Sequence, residues 1–351
     1  KAKADEVLPM TTFDSENPED LWKWMQAWQD KTGGYLLAIP HNGNLSKGKM
    51  FAHNTILADP MTREWAETRA KWEPMYEITQ IKGDGETHPS LSATDEFAGF
   101  EKWDAANLAG VPKTPGMIER EYARRALEEG LKLEAELGVN PFKFGFVSGT
   151  DTHTGLTTAE EDNFFGKHSG VEPNPNRWEH PVIATPQVNI VGWQMAAAGY
   201  TGVWATENTR ESIWDALKRK EAYSTTGPRI TVRFFGGWDF EDADAQTRMP
   251  AEAGYSKGVP MGGDLRTAPD GKSPSFLVAA LKDPYSGNLD RIQIVKGWVD
   301  AKGEIQEKVY DVVWSGDRVP GTDGKLPSVG NTVDVENAIW TNTIGAGELI
   351  K

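Results

Sequence analysis

The pattern of the chain changes at Gly227-Pro228. Before that dipeptide, apolar runs of strand length alternate with helical stretches. After it, strand-like runs follow one another with turn residues between them. Alternation of strand and helix implies a parallel sheet or barrel, because a parallel return needs a crossover that a helix supplies. A succession of strands with Gly- and Pro-rich turns implies antiparallel sheets. The pattern therefore predicts an α/β barrel portion over residues 1–226 and a β-rich, sandwich-like domain over 227–351.

Local signals place the elements of the first part. Asn17 can cap free N–H groups, and Pro18 suits a first helical position, where no N–H partner is needed. Leu21, Trp24, Met25 and Trp28 then recur at helical spacing until Gly33-Gly34. Tyr35 to Ile39 is a continuous apolar run, which predicts a strand covered on both faces. Met61 to Trp72 reads as a helix closed by Pro74, and Met75 to Ile81 as a strand carrying Glu77. Thr114-Pro115 opens a long helix to about Leu137, stopped by Gly138. An apolar strand ending at Ser148-Gly149 follows, then Asp151 and His153. Residues 155–182 read as a long surface loop, Val188 to Gly199 as a helix, and Asn208 to Glu211 as a capped helix start. Beyond Gly227, residues 230–235, 276–281, 292–299 and 309–314 read as strands, with no helix of comparable strength.

Strand ends are where α/β folds place their sites. His41 follows the first apolar run, Glu77 lies on the second, and Asp151 with His153 follows the third. Imidazole and carboxylate together suit Zn, Mn or Fe, and a carboxylate can bridge two ions. The chain has no cysteine, so thiolate ligands and disulfides are excluded. Glu86 and His88 sit in a polar loop and read first as surface residues, second as metal ligands. His168 and His180 read first as exposed, second as substrate-facing. A net charge of -15 argues against nucleic acid and anionic membranes as partners, and a small-molecule substrate is expected. No apolar run is long enough for membrane insertion, and no apolar segment follows Lys1 to Glu6 as a signal peptide requires. Cytoplasm and periplasm both stay open, as does the oligomeric state. No P-loop, nucleophile elbow, dinucleotide fingerprint or H-E-x-x-H motif occurs.

Several blocks are familiar. Ile39 to Ser46, Glu77 to Gly83 with Glu86 to Pro89, and Ser148 to His153 resemble an uncharacterised bacterial family related to the PHP (polymerase and histidinol phosphatase) metal-dependent hydrolases. Ala222 to Ile230, Lys257 to Leu265 and Asp290 to Trp298 resemble later parts of the same family. The resemblance implies a distorted (β/α)7 barrel and a cluster of two or three divalent metals. It makes His41 the histidine of a middle strand, Asp151 and His153 the late Asp-x-His pair, and Glu77 a further ligand. PHP proteins begin with a His-x-His strand and an Asp-His motif. Neither occurs here, and no His precedes His41, so the resemblance implies a fragment starting part-way into the barrel.

The expected activity is hydrolysis of a phosphate ester, or a related ester or amide, by hydroxide on metal. The alternative is a catalytically incomplete or non-catalytic module that binds a ligand or partner. A carbohydrate-processing enzyme with paired carboxylates is a third option.

Overall fold

The computed structural model describes residues 4–153, 167, 174–195 and 199–351. Helix α1 spans Pro18–Thr32, and α2 spans Arg63–Trp72. The Asn17 side chain accepts the Glu19 N–H at α1, and Thr62 accepts the Trp65 N–H at α2, each satisfying a donor that the helix leaves free. Gly33 ends α1 with φ 70°, a left-handed conformation that glycine adopts without a Cβ clash. The two helices bury Trp22, Met25 and Trp72 together, with Trp22 edge-on to Trp65 at 5.2 Å.

Strand β1 (Met75–Gln80) pairs antiparallel with the short β2 (Gly83–Asp84). Two helices follow, α3 (Pro115–Ile118) and α4 (Ala123–Leu137), and lead to β3 (Gly145–Ser148). β3 lies parallel to β1, with Glu77 opposite Val147. Phe51, Tyr76, Ile78, Ala126 and Phe142 fill the core under this unit. The long helix expected from Thr114 to Leu137 is broken at residues 119–122. The break turns Glu121 fully into the interior, where Lys113 Nζ lies 3.2 Å from its carboxylate and the Gly48 N–H donates to it at 3.1 Å. A tertiary ion pair outweighs helix propensity there.

The expected barrel, partial or whole, is not formed: among the described residues the β1–β3 sheet has three strands and does not close. One missing strand explains much of this. Tyr35 to Ile39 forms no strand, and Tyr35 is 75% exposed, so the run is not covered on both faces. It touches β1 through one bond, from the Glu77 N–H to the Pro40 carbonyl at 3.0 Å. Pro40 has no N–H, which denies the ladder a donor at that point.

The remaining strands of this part pair two by two. β4 (Pro181–Ala184) pairs antiparallel with β5 (Asn189–Val191), so the helix expected over Val188 to Gly199 is, up to Met195, instead a strand and a 3-10 turn at Gly192–Gln194, and residues 196–198 lie outside the described residues. Val188 and Ile190 are buried while Asn189 is exposed, the period of a strand. β6 (Thr201–Val203) and β7 (Ala222–Ser224) pair antiparallel and flank α5 (Arg210–Lys218), which Thr209 caps.

The β-rich character beyond Gly227 is present, but not as a sandwich. β8 (Thr231–Gly237), β9 (Gly258–Pro260), β10 (Ser275–Leu281) and β15 (Glu348–Ile350) form one antiparallel sheet in the order β15-β10-β8-β9. A helix that the sequence reading passed over, α6 (Pro250–Lys257), packs on it with Gly254 set against the Phe235 ring. β11 (Arg291–Val299) and β12 (Ile305–Trp314) form a separate ribbon. Among the described residues that ribbon pairs with no other strand; it lies along α4 and also meets β15 of the four-stranded sheet. Gly297 allows the approach, since a Cβ there would sit 3.0 Å from Glu128 Cγ. Arg124 on α4 reaches Glu307 on β12 at 3.9 Å. β13 (Val333–Asp334) and β14 (Ile339–Trp340) make a small exposed pair.

Candidate functional site

A cavity of about 450 Å³ opens beside the β1–β3 pair, lined by Ile39, His41, Glu77, Val147, Ser148, Thr201, Val203 and Leu217. Backbone bonds bring its walls together. The Glu77 N–H to Pro40 bond carries His41 to β1. The Gln80 amide donates to Asn42 Oδ1 at 3.0 Å, and the Asn44 amide donates to the Lys82 carbonyl at 3.1 Å, tying the His41 loop to the end of β1. On the other side, Ser148 Oγ donates to the Tyr200 carbonyl at 2.6 Å and the Thr225 carbonyl at 3.1 Å, so the end of β3 is fixed to β6 and β7.

The electrostatics of the cavity are unusual. Burial raises the Glu77 carboxyl above its ordinary range, against the pull of Gln80, Lys82 and Lys167. Its Oε2 is buried without a hydrogen-bond partner. Its Oε1 lies 3.2 Å from where a Cβ on Gly149 would stand. The His41 ring is partly desolvated by the cavity wall, and with the Lys82 charge nearby this holds the imidazole below its usual range. Asp151 has φ 52°, and this left-handed backbone aims its carboxylate at two lysines. Lys82 Nζ and Lys167 Nζ both contact Asp151 Oδ2. Lys167 Nζ also donates to the Asp151 carbonyl at 2.5 Å and lies 3.0 Å from His153 Nε2, which in turn is 3.2 Å from Asp151 Oδ1. Burial, and then the Lys167 charge, pull the Lys82 amine down to about 7.

The structure thus divides the expected ligands. His41 and Glu77 share the cavity, and Asp151 and His153 form a pair bound by lysines that also act on His41 and Glu77. Glu86 and His88 lie in another network. Arg124 Nε donates to Glu86 at 2.8 Å, and Nη1 lies 2.6 Å from Asp95. His88 Nε2 is 3.0 Å from Asp104 Oδ2, and its Nδ1 is 2.7 Å from Ser90 Oγ. His180 is exposed at the end of a 3-10 turn, and His168 falls outside the described residues. Among the described residues no three His, Asp or Glu side chains stand close enough to enclose a metal ion. The donor types nevertheless suit a divalent cation: a carboxylate oxygen lacks a hydrogen-bond partner, and the imidazole that lines the same cavity has its protonated form disfavoured.

A profile of a family described only as a protein of unknown function, DUF3604, matches residues 1–351. The chain belongs to the DUF3604 family. No curated protein and no solved structure matches it significantly. Membership therefore establishes kinship without assigning a reaction, and the site of this DUF3604 chain has to be understood from its own atoms.

Two residues of that site were missed in the sequence. Lys82 follows β1 by two residues, the same strand-end position that singled out His41 and Asp151, so the signal was available. Lys167 had none, because it stands in a polar stretch with no periodicity. Among the described residues of this DUF3604 protein, no helix is long and apolar enough to cross a membrane.

Proposed function

We propose that this DUF3604 chain carries the metal-binding part of a hydrolase acting on a small molecule, a phosphate ester or a related ester or amide. The observation that supports the reading most is the orphaned Glu77 Oε2 in the cavity that His41 lines. Leaving such an oxygen buried and unsatisfied costs about 1–3 kcal/mol or more, and a cation would relieve it. His41, Glu77, Asp151 and His153 would hold the metal, as Zn, Mn or Fe, singly or in a cluster of two or three. When bound, it would supply Lewis acidity and water acidified toward neutral pH.

The chain's own groups have definable tasks. His41 keeps a lone pair available because its imidazolium is disfavoured. Glu77 brings negative charge to a wall that is otherwise largely apolar. Lys82 and Lys167 hold the Asp151 carboxylate in place. Ile39, Val203 and Leu217 limit water on the side facing the substrate.

A second reading, a binding module without turnover, draws support from the same two lysines, since they already compensate Asp151. Elemental analysis after loading with Mn, Zn or Fe and desalting tests the first. Retained metal that falls at least severalfold in Glu77→Gln and His153→Ala is the expected result. Metal content indifferent to both substitutions would sink it. Metal retained without hydrolysis of model phosphate esters, carboxylic esters or amides would favour the binding module.

A further inference from the structure

Outside the cavity, the loop that follows β2 sets a hydroxyl, an imidazole and a carboxylate in series. Ser90 Oγ lies 2.7 Å from His88 Nδ1, and His88 Nε2 lies 3.0 Å from Asp104 Oδ2. A nucleophilic serine needs contacts in this order: a base for its proton and a carboxylate behind the base. His41, Glu77, Asp151 and His153 take no part in these contacts.

The sequence builds the turn that holds the three groups. Pro89 presets φ at the second position of a tight turn, and the Leu91 N–H closes it on the His88 carbonyl at 2.8 Å. The Ser92 N–H donates to the same carbonyl at 2.9 Å. Under the turn, the buried Thr87 and Ser92 hydroxyls meet at 2.6 Å. The fully buried Tyr122 packs its ring 5.5 Å from the imidazole. Ser90 and His88 therefore have little freedom left to lose on the way to a reaction.

The proton positions follow from one more bond. The Ser90 backbone N–H donates to His88 Nδ1 at 3.1 Å. A backbone N–H can only donate, so Nδ1 is the acceptor and the ring proton sits on Nε2, where it donates to Asp104. Ser90 Oγ is closer to Nδ1 than the N–H is, and it too must donate. Its proton already points at the base. Against burial, the His88 bond and the Lys102 and Lys113 charges hold the Asp104 carboxyl below its ordinary range, so it stays ionised behind the ring.

We propose that Ser90 is an activated nucleophile that takes the acyl group of a carboxylic ester. Oγ bonds to the carbonyl carbon as its proton passes to His88 Nδ1. The bond to the leaving alcohol then breaks, and the alcohol takes that proton. Water attacks the acyl group next, giving a proton to Nδ1 that returns to Oγ as the acid leaves. Asp104 accepts the Nε2 hydrogen bond throughout and offsets the imidazolium charge. Ser90 is exposed, so water meets the charge developing on the carbonyl oxygen. Water does this less well than fixed donors, which restricts the reaction to esters with a good leaving group, such as a phenol.

Treating the full chain with a fluorophosphonate or with p-nitrophenyl acetate in EDTA, and locating adducts by peptide mass spectrometry, tests this. EDTA keeps metal-borne hydrolysis of the ester out of the measurement, so the outcome is separate from that of the metal reading. An adduct on Ser90 is expected, forming about a hundredfold faster than in His88→Gln, a typical worth of a positioned base. Asp104→Asn should slow it about tenfold or more. Asp104 is 43% exposed, so this second variant decides the matter where the melting temperature of His88→Gln shows a folding defect. An unmodified Ser90 overturns the inference. So does a Ser90 adduct that forms at the same rate in both variants as in the unmodified chain.

Discussion

Replacing Glu128 by Gln should make folding less sensitive to pH, and the structure sets the size of the effect. Glu128 is 7% exposed on α4, under the β11–β12 ribbon. Burial raises its carboxyl from 4.5 to about 7, and Glu307 on β12 adds to the rise. Arg125 Nη1, 3.6 Å away, opposes it, as does Arg124. The folded state therefore holds this proton more tightly than the unfolded state. The stability it confers is fully present below about pH 4.5 and is lost as pH rises through about 7. Each pKa unit is worth about 1.4 kcal/mol, so the full span comes to about 3 kcal/mol, a large share of a typical 5–15 kcal/mol.

Gln keeps the shape and cannot ionise. Glu128→Gln should be the more stable protein at pH 8 by about 1–3 kcal/mol, with the lost Arg125 pairing taking the balance. The difference should vanish near pH 4.5. Urea unfolding of both proteins at several pH values between 4.5 and 8 measures it. Asp84, whose buried carboxyl is also pushed up to about 7, titrates in both and cancels in the comparison. Parallel stability curves for the two proteins would refute the argument.

Two further substitutions test the frame around the site. Lys113→Met strands the fully buried Glu121 carboxylate and should cost about 3–5 kcal/mol in urea unfolding, with much of that recovered when Glu121→Gln is added. Gly130→Ala should destabilise by about 1–3 kcal/mol despite alanine's better helix propensity. A Cβ there would stand 2.2 Å from Asn140 Oδ1, which accepts the Phe142 N–H at 2.9 Å. A higher melting temperature for Gly130→Ala would show that Asn140 moves aside freely.

What the sequence disclosed was mostly local. The caps at Asn17 and Thr209 and the stops at Gly33 and Gly138 are satisfied within a few residues, so their meaning survives without the rest of the fold. The strands at β1, β3, β8 and β11 announced themselves by short apolar or β-branched runs between turns. Misreadings came where a distant partner decides. Tyr35 to Ile39 has the composition of a strand, but pairing depended on a neighbour and on the donor that Pro40 lacks. The β5 region has apolar residues enough for a helix, but Val188-Asn189-Ile190 alternates with the period of a strand. α6 has a proline at its first position, a local start signal inside a region dominated by strands. Alternation of strand and helix supplied the parallel β1–β3 pair but cannot say how many strands will join it. At the site, strand-end reasoning chose His41 and Glu77 together, and nothing in spacing alone shows that two lysines converge on Asp151.

The ribbon on α4 has a consequence for the order in which the molecule is made. α4 ends at Leu137, and its covering strand begins at Arg291. At a synthesis rate of about 5–20 residues per second, that flank of α4 waits roughly 8–30 s for its partner. An apolar flank left open that long would invite wrong associations with other nascent chains. This one presents Arg124, Arg125, Glu128 and Glu129, groups that water solvates well during the delay. The price of an ionic seam in the finished protein is then set against safe passage of the unfinished one.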